Sequence, residues 1–535
     1  MNIFVLIWNN FSLVEKKIFY FLITLILILI IIYAALFIKL NSVYVSIPGG
    51  VYKEGILGQP ININPIFSSN PVDQKISYFI YYPLYHFLKN IDISPDGKTY
   101  TLQLKDNVKW SDGKNISSDD IVFTIKAIQN YRYNSPLFYL WQGVKAQKIS
   151  SIQVKINIPS ENFLFEKNIK NLQIIPSHIF EAIPPENIYL SDYKLEPITN
   201  GPYKFEKMIK RKDGFITNYK LSINPLFEGE KYFIQKVEFV FFQNDEELNN
   251  AFLTKKINAF GYYPTQNINI NSENLKSFNQ EKIKTSSYYA SFFNQTNNAS
   301  LKDISVRKAL VLSIDKKNIL EEIGPSFWEP ISNIYPENED SSSYDPETAQ
   351  NLISKFKSKN KNAKIVLNLV IPENQIMNKI AEKIKSSWIS AGVDEVNIEA
   401  ENMEGDSSPL KTRAYDILLL GASFQNTEDV FSYWHSSQIN YPGINFASYQ
   451  NSKADTLIEK IRETKDETER KKYFKQLSDI IKDDYPAAFL FSPFYIFIYS
   501  KDTNIEMPQK ISSPKDLYLY FDKWFINKVR IIKKQ

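Results

Sequence analysis

Residues Ser94 to Ile125 read SPDGKTYTLQLKDNVKWSDGKNISSDDIVFTI. Asp96-Gly97 is a tight-turn pair, since both residues tolerate the backbone angles that short turns demand. Tyr100 to Trp110 then alternates apolar and polar side chains, the period of a half-buried strand. Ser117 followed three residues later by Asp120 marks a helix start, because hydroxyl and carboxylate can each satisfy a backbone N–H left free by the first turn. The stretch therefore predicts a hairpin strand, a turn, and a capped helix running to Gln129.

Further along, NGPYKFEKM (Asn200 to Met208) and YKLSINPLFEG (Tyr219 to Gly229) have strand character with Pro at their boundaries. Lys236 to Gly261 predicts a strand, a helix over Asp245 to Lys255 and a second apolar segment. KIVLNLVIP, NQIMNKIAEKIKSSWISAG and VDEVNIEA (Lys364 to Ala400) form a second strand–helix–strand unit, with Gly392 as the helix stop. SVRKALVLSIDKKNILEEI (Ser305 to Ile323) has helical spacing. Lys453 to Asp484 predicts two charged-faced helices ahead of a final apolar run, Tyr485 to Ser500. Two such units about a hundred residues apart predict two α/β lobes with parallel strands.

The chain has 535 residues, enough for several cores, and its 44% apolar and 23% charged content is that of a globular protein. With 63 basic and 59 acidic side chains the net charge is +4, too little to imply nucleic acid or an acidic partner. Ile18 to Ile38 is 21 residues without a charge, about 30 Å as a helix and long enough to cross a bilayer. Lys16 and Lys17 precede it, which favours a cytoplasmic N-terminus over residues 1–17. A cleaved signal peptide is the rival; the apolar core is long for one, and no small-x-small site follows. An uncleaved single-pass anchor at 18–38 is expected, with a very short linker and everything from about Val43 on the extracytoplasmic side of the cell membrane.

Catalytic patterns are scarce. There is no Cys, which excludes disulfides, thiol catalysis and a lipid-modified Cys anchor. The three histidines, His86, His178 and His435, are far apart and make no metal-ligand spacing. GASFQ (Gly421 to Gln425) lacks the second Gly of a nucleophile elbow, and no phosphate-cradling loop appears. Carboxylate pairs Asp119/Asp120 and Glu246/Glu247 stand at helix starts, where they complement the dipole. No catalytic residue, metal or cofactor is expected.

Taken in order, these blocks resemble the extracellular solute-binding proteins of the peptide/nickel (oligopeptide/dipeptide-binding) ABC-transporter family. Asp96, Gly97, Thr99, Tyr100, Lys109, Trp110, Asp112, Gly113, Asp119, Asp120 and Phe123 match its most recognisable stretch in order. ININP (Ile61 to Pro65), NGPYKF, NPLFEGEKYFIQKVEFVFF (Asn224 to Phe242) and SVRKALVLSIDKKNIL match further blocks, and the resemblance runs from about Gly55 to about Ser500. It implies a two-lobed periplasmic-binding-protein-like fold of type II with an extra inserted domain. Lobe one would combine 44–75, 196–285 and 490–535, the insert would be 76–195, and lobe two 286–489. Most matched motif residues would be structural.

The same resemblance gives a role to DVFSYWHSSQ (Asp429 to Gln438), which follows the apolar segment YDILLLG (Tyr415 to Gly421). In the family this region lines the cleft, and many peptide-binding members carry an Asp there that pairs with the ligand's ammonium. Ser423 replaces that Asp and Phe424 follows it; a Ser can accept such a bond but lacks the charge that makes it about twice as strong. The expected ligand-binding residues are Ser423, Phe424, Asp429, Tyr433, Trp434, His435, Ser436, Tyr288 and Asn294, with Tyr289 beside them and Asp429 or Glu428 as substitute carboxylates. Trp434 would be an apolar wall. The implied mechanism is capture of an oligopeptide or similar solute by lobe closure, by a monomer that then docks on ABC permease subunits, with no nucleic acid involved. A membrane-anchored sensor or pheromone receptor on the same fold, and a secreted hydrolase or sugar-binding module, stand as alternatives.

Overall fold

Capping decides where the first helix of the motif begins. The helix Ser118–Gln129 has Ser117 as N-cap and Asp120 closing the capping box, with Ser117 N donating to Asp120 Oδ2 at 2.8 Å. Asp120 is buried and also accepts from Trp110 Nε1 at 3.2 Å and from Ser177 N and Oγ at 2.8 Å each. The motif acid thus ties three segments of one subdomain together. The preceding strand is shorter than its alternation predicts: Thr99–Leu104. It ends because the chain turns at Asn107, where φ is +64°. Its sheet is four-stranded and antiparallel, in the order Leu88–Ile93, Thr99–Leu104, Gln153–Asn157, Lys145–Ser150.

The computed structural model describes residues 11–532 apart from 68–69, 267, 269–277, 335–343, 362, 404, 406 and 424–428. The main sheet runs in the order Glu395–Glu401, Val366–Pro372, Ile417–Ser423, Ser287–Phe293, Ala487–Ser500, Ala259–Tyr262, Val51–Leu57, Lys236–Phe242, Ile216–Ile223, Tyr203–Lys210. The expected strand–helix–strand units are both present. Val366–Pro372 pairs in parallel with Glu395–Glu401 across the helix Gln375–Ser390. Lys236–Phe242 and Ala259–Tyr262 are connected through the helix Asp245–Leu253, and both run parallel to Val51–Leu57, which lies between them.

Ala487–Ser500 is 14 residues long and belongs to both lobes. Its first part pairs with Ser287–Phe293 and its second with Phe278–Thr285. The chain therefore crosses between lobes twice, at Ser286 and at Pro493. Thr285 Oγ1 donates to the Pro493 carbonyl at 2.7 Å, and Ser492 Oγ donates to the Ser287 carbonyl at 2.8 Å. Side chains alternate between two cores on either side of the sheet in each lobe: Ile417 and Leu419 face one, Leu418 and Ala422 the other. Burial on both faces explains why these strands read as continuous apolar runs rather than strict alternation.

The expected boundary between residues 75 and 76 falls inside the helix Pro71–Ile80. Phe79 of that helix packs on Tyr203, Phe239, Tyr518 and Phe521 at ring distances of 4.7–5.9 Å. Those partners place the whole helix with lobe one. The expected boundary at 489/490 likewise falls within the shared crossing strand. At the N-terminus the helix is longer than the apolar run, Leu13–Asn41, capped by Ser12 and Glu15 and with no buried residue. No linker follows it: the strand Ser42–Ser46 starts at once and pairs with Lys528–Ile532.

One buried cation has a measurable consequence. Lys316 is 8% exposed, and its ammonium donates to the Ile331 carbonyl. Burial pushes it down to about 8, below the ~10.4 of a free lysine. Between those values the unfolded chain holds a proton that the folded chain has lost, so stability rises with pH there. Relative to Lys316→Met, the wild type should gain roughly 3 kcal/mol between pH 7 and pH 10.5. Urea midpoints of both proteins across that range check this; parallel curves would refute it.

Candidate functional site

In α/β sheets, ligand crevices open at the carboxyl ends of parallel strands. Three such ends converge between the lobes. Ala259–Tyr262 leads into Tyr263-Pro264-Thr265, Val366–Pro372 leads to Asn374, and Ile417–Ser423 ends on Ser423. Asn374 Nδ2 donates to the Thr265 carbonyl across the lobes at 3.2 Å. Asn374 also N-caps Gln375–Ser390, its side chain accepting from Ile376 N at 2.9 Å and Met377 N at 3.2 Å.

Two tyrosines cross the same boundary in opposite directions. The Tyr263 hydroxyl of lobe one stands near Ser287 of lobe two, and the Tyr289 hydroxyl of lobe two near Thr265 of lobe one. Burial pushes the Tyr289 hydroxyl up. Tyr263 lies 5.2 Å from Tyr495 on the crossing strand, and Tyr289 lies 5.6 Å from Trp328. Tyr289 pairs with Gly421. A Cβ at Gly421 would stand 3.0 Å from the Tyr289 ring, so the glycine is what lets that ring lie flat against its neighbour strand.

Behind Tyr495 is a buried polar cluster. Glu54 has no exposed surface and accepts from Lys75 Nζ at 2.6 Å, Tyr52 Oη at 2.9 Å and Tyr518 Oη at 2.7 Å. Burial opposes the charge on Lys75, but Glu54 and Tyr495 outweigh it and hold the ammonium above its ordinary value. Residues 163–164 also reach lobe two. Phe163 N donates to the Arg462 carbonyl at 2.8 Å, and Leu164 is buried in a lobe-two core.

The residues expected to bind ligand divide sharply. Tyr288 pairs with Ala422 and points into the core that holds Trp434. Trp434, expected as a wall, has no exposed surface; it lies 6.1 Å from Phe292, 6.1 Å from Tyr449 and 5.9 Å from Phe489. Asn294 is fully buried, donating to the Arg413 and Tyr415 carbonyls at 3.3 and 3.2 Å and accepting from Thr296 N at 3.1 Å. These three side chains build lobe two and present no surface to a cleft. Asp429 is held by Arg462, Nε at 2.9 Å and Nη2 at 3.0 Å. Arg462 also stacks 3.9 Å over Phe431, which stacks 4.3 Å on His435. Ser436 N and Oγ donate to Asp455 at 2.9 and 2.6 Å.

His435 Nδ1 accepts from Ser437 N at 3.1 Å, while Nε2 faces Glu459 at 3.5 Å and Asp455 at 3.9 Å. The run from Asp429 to Ser436 therefore fastens the helix Ser452–Glu463 to lobe two. Tyr433 is half-buried against the Trp434 core, with its hydroxyl pushed up to about 12 by burial. The Ser423 backbone pairs with Ser287; its side chain, Phe424 and Glu428 lie outside the described residues. Among the described residues no cluster of three His, Cys, Asp or Glu could hold a metal.

Residues 85–441 match the family model described as "Bacterial extracellular solute-binding proteins, family 5 Middle". The chain belongs to that family. Within family 5, it is 24% identical over 531 residues to the oligopeptide-binding protein AppA of Bacillus subtilis, covering 90% of this chain and 92% of that one. The dipeptide-binding protein of Escherichia coli is 24% identical, with 81% and 87% covered. Among solved structures, the ABC transporter substrate-binding protein CtaP of Listeria monocytogenes superposes with a TM-score of 0.74 at 25% identity, covering 89% of this chain and 99% of that one. The AppA structure of B. subtilis with a bound nonapeptide gives 0.72 at 20% identity, with 90% and 100% covered. A family 5 protein has the two-lobed type II fold, which explains why both crossings lie in strands.

Sequence reasoning missed Tyr263, Thr265 and Asn374. The carboxyl-end rule, applied to the strands it had already located, would have reached all three. It also placed Tyr288 and Tyr289 together, although neighbouring strand residues face opposite ways.

Proposed function

We infer that this family 5 protein is a non-enzymatic, membrane-anchored binding subunit that encloses a peptide-class solute between its lobes and passes it to ABC permease subunits. It works as a monomer, without a cofactor. The observation that carries the reading is the pair of crossing tyrosines on the lobe boundary, at the carboxyl ends where ligands collect. A ligand shifts the lobe equilibrium only through contacts it gains on closure, and both tyrosines stand where the two lobes face each other. The peptide class rests on the relatives' ligands. With Asp429 engaged by Arg462, ligand capture rests on main-chain pairing rather than on an ammonium–Asp429 bond. Ser423 and Phe424 remain the proposed contacts from lobe two. The helix Leu13–Asn41, long and apolar enough to span a bilayer, supplies the anchor.

Native mass spectrometry of gently purified protein should release short-peptide masses. A sugar or a metal chelate in their place would overturn the peptide class. Tyr289→Phe should weaken peptide binding about three- to tenfold, the worth of one hydroxyl contact at the lobe boundary, and leave unfolding midpoints unchanged. Calorimetric titration reads the first and urea unfolding the second; unchanged affinity would remove Tyr289 from the closure.

A further inference from the structure

The helix Leu13–Asn41 passes directly into a two-stranded ribbon, Ser42–Ser46 against Lys528–Ile532, with Tyr44 opposite Arg530. Arg530 ties the two ends together: Nη2 donates to the Lys39 carbonyl at 3.2 Å and Nε to Ser42 Oγ at 2.6 Å. Lys528 and Arg530 lie 5.2 and 5.5 Å from the Tyr44 ring. Val43, Tyr44, Val45, Val529 and Ile531 are all exposed.

The charge of this neck is one-sided. From Lys39 to Lys53, and again from Lys523 to Gln535, there is no Asp or Glu, although the chain as a whole carries 59 acidic side chains against 63 basic. In bulk water the ribbon face carrying Val43, Val45, Val529 and Ile531 would expose a contiguous set of apolar side chains without return, with Tyr44 and Arg530 on the other face. Beside a bilayer the same features are complementary to it. Tyrosine and short aliphatic side chains suit the headgroup boundary, and lysine and arginine near the surface attract anionic lipid.

We propose that the ribbon binds the anionic phospholipid headgroups surrounding the helix and so seats lobe one against the membrane. This rests on the anchor reading given above. The two strands replace a flexible tether with a paired, capped neck, so the lobe is held at a set orientation as well as a set distance.

The chain contains no cysteine, so Val529→Cys gives one site for an environment-sensitive fluorophore. The full-length protein is reconstituted in nanodiscs of phosphatidylcholine, or of phosphatidylcholine with phosphatidylglycerol, after its intact mass has been measured. The emission should shift to the blue only with phosphatidylglycerol and revert as salt is raised. Lys39→Gln or Lys528→Gln should each raise the phosphatidylglycerol fraction needed for half the shift about fivefold. Equal emission in the two lipids, with the helix present, overturns the ribbon's role and leaves the anchor standing. An intact mass lacking the helix overturns the anchor and the proposal together.

Discussion

Glu54→Gln should lower the unfolding free energy by about 3–5 kcal/mol, because it leaves the Lys75 ammonium buried without its counter-charge. The wild-type carboxylate receives three donors, from Lys75, Tyr52 and Tyr518, at 2.6–2.9 Å. The amide can still accept from the tyrosines but cannot balance the lysine. Lys75 is only 6% exposed, so solvent compensates little for the lost carboxylate. The double variant Glu54→Gln/Lys75→Met should recover most of the loss, since removing both charges removes the burial penalty along with the attraction. Because the Lys75 ammonium is held above its ordinary value, the pair's contribution should persist through neutral pH and fade only as pH rises past the lysine range. Chemical unfolding of the three proteins tests this; a single variant as stable as wild type would show that the pair contributes nothing.

Trp434→Ala should cost about 3–5 kcal/mol. For a lobe of some 200 residues this is a fall of roughly 10 °C in its unfolding midpoint. The indole is enclosed by Phe292, Tyr449 and Phe489, and Tyr288 stands beside it. Its loss opens a cavity that strands on one side and the helix Ser452–Glu463 on the other cannot both move to fill. A ligand-wall tryptophan would behave in the opposite way, leaving stability intact and weakening binding. Differential scanning calorimetry alongside peptide titration separates the two. An unchanged midpoint with lost affinity would restore the wall reading.

The fold was legible because its signals are local. Ser117 and Asp120 announce a helix start within four residues, and the crossover units announce themselves by a change of period. The ordered blocks then carried the family. The site was harder because its signals are not local. A run such as Val430 to Trp434 has the composition of a cleft wall and of a core alike; what distinguishes them is Phe489 and Tyr449, which arrive from elsewhere in the chain. Asp429 looks like a free carboxylate until Arg462, 33 residues on, closes over it. The alternation of Tyr288 and Tyr289 was readable, and which one faced the core was not, because both faces of that sheet are buried. The expected linker after the anchor became a strand for the same reason: its partner lies at the far end of the chain.

The position of Ala487–Ser500 has a consequence for biosynthesis. This strand occupies the middle of the main sheet, between Ser287–Phe293 and Ala259–Tyr262, yet it is translated after the other nine strands of that order. At ~5–20 residues per second, the chain ahead of it takes on the order of a minute to emerge. The edge at Ala259–Tyr262 stays bare while the next 224 residues are made and the edge at Ser287–Phe293 while the next 193 are, and such edges pair promiscuously. The nascent protein therefore matures in one late step, when a single strand joins two waiting halves, and the cell must shield those edges until it does.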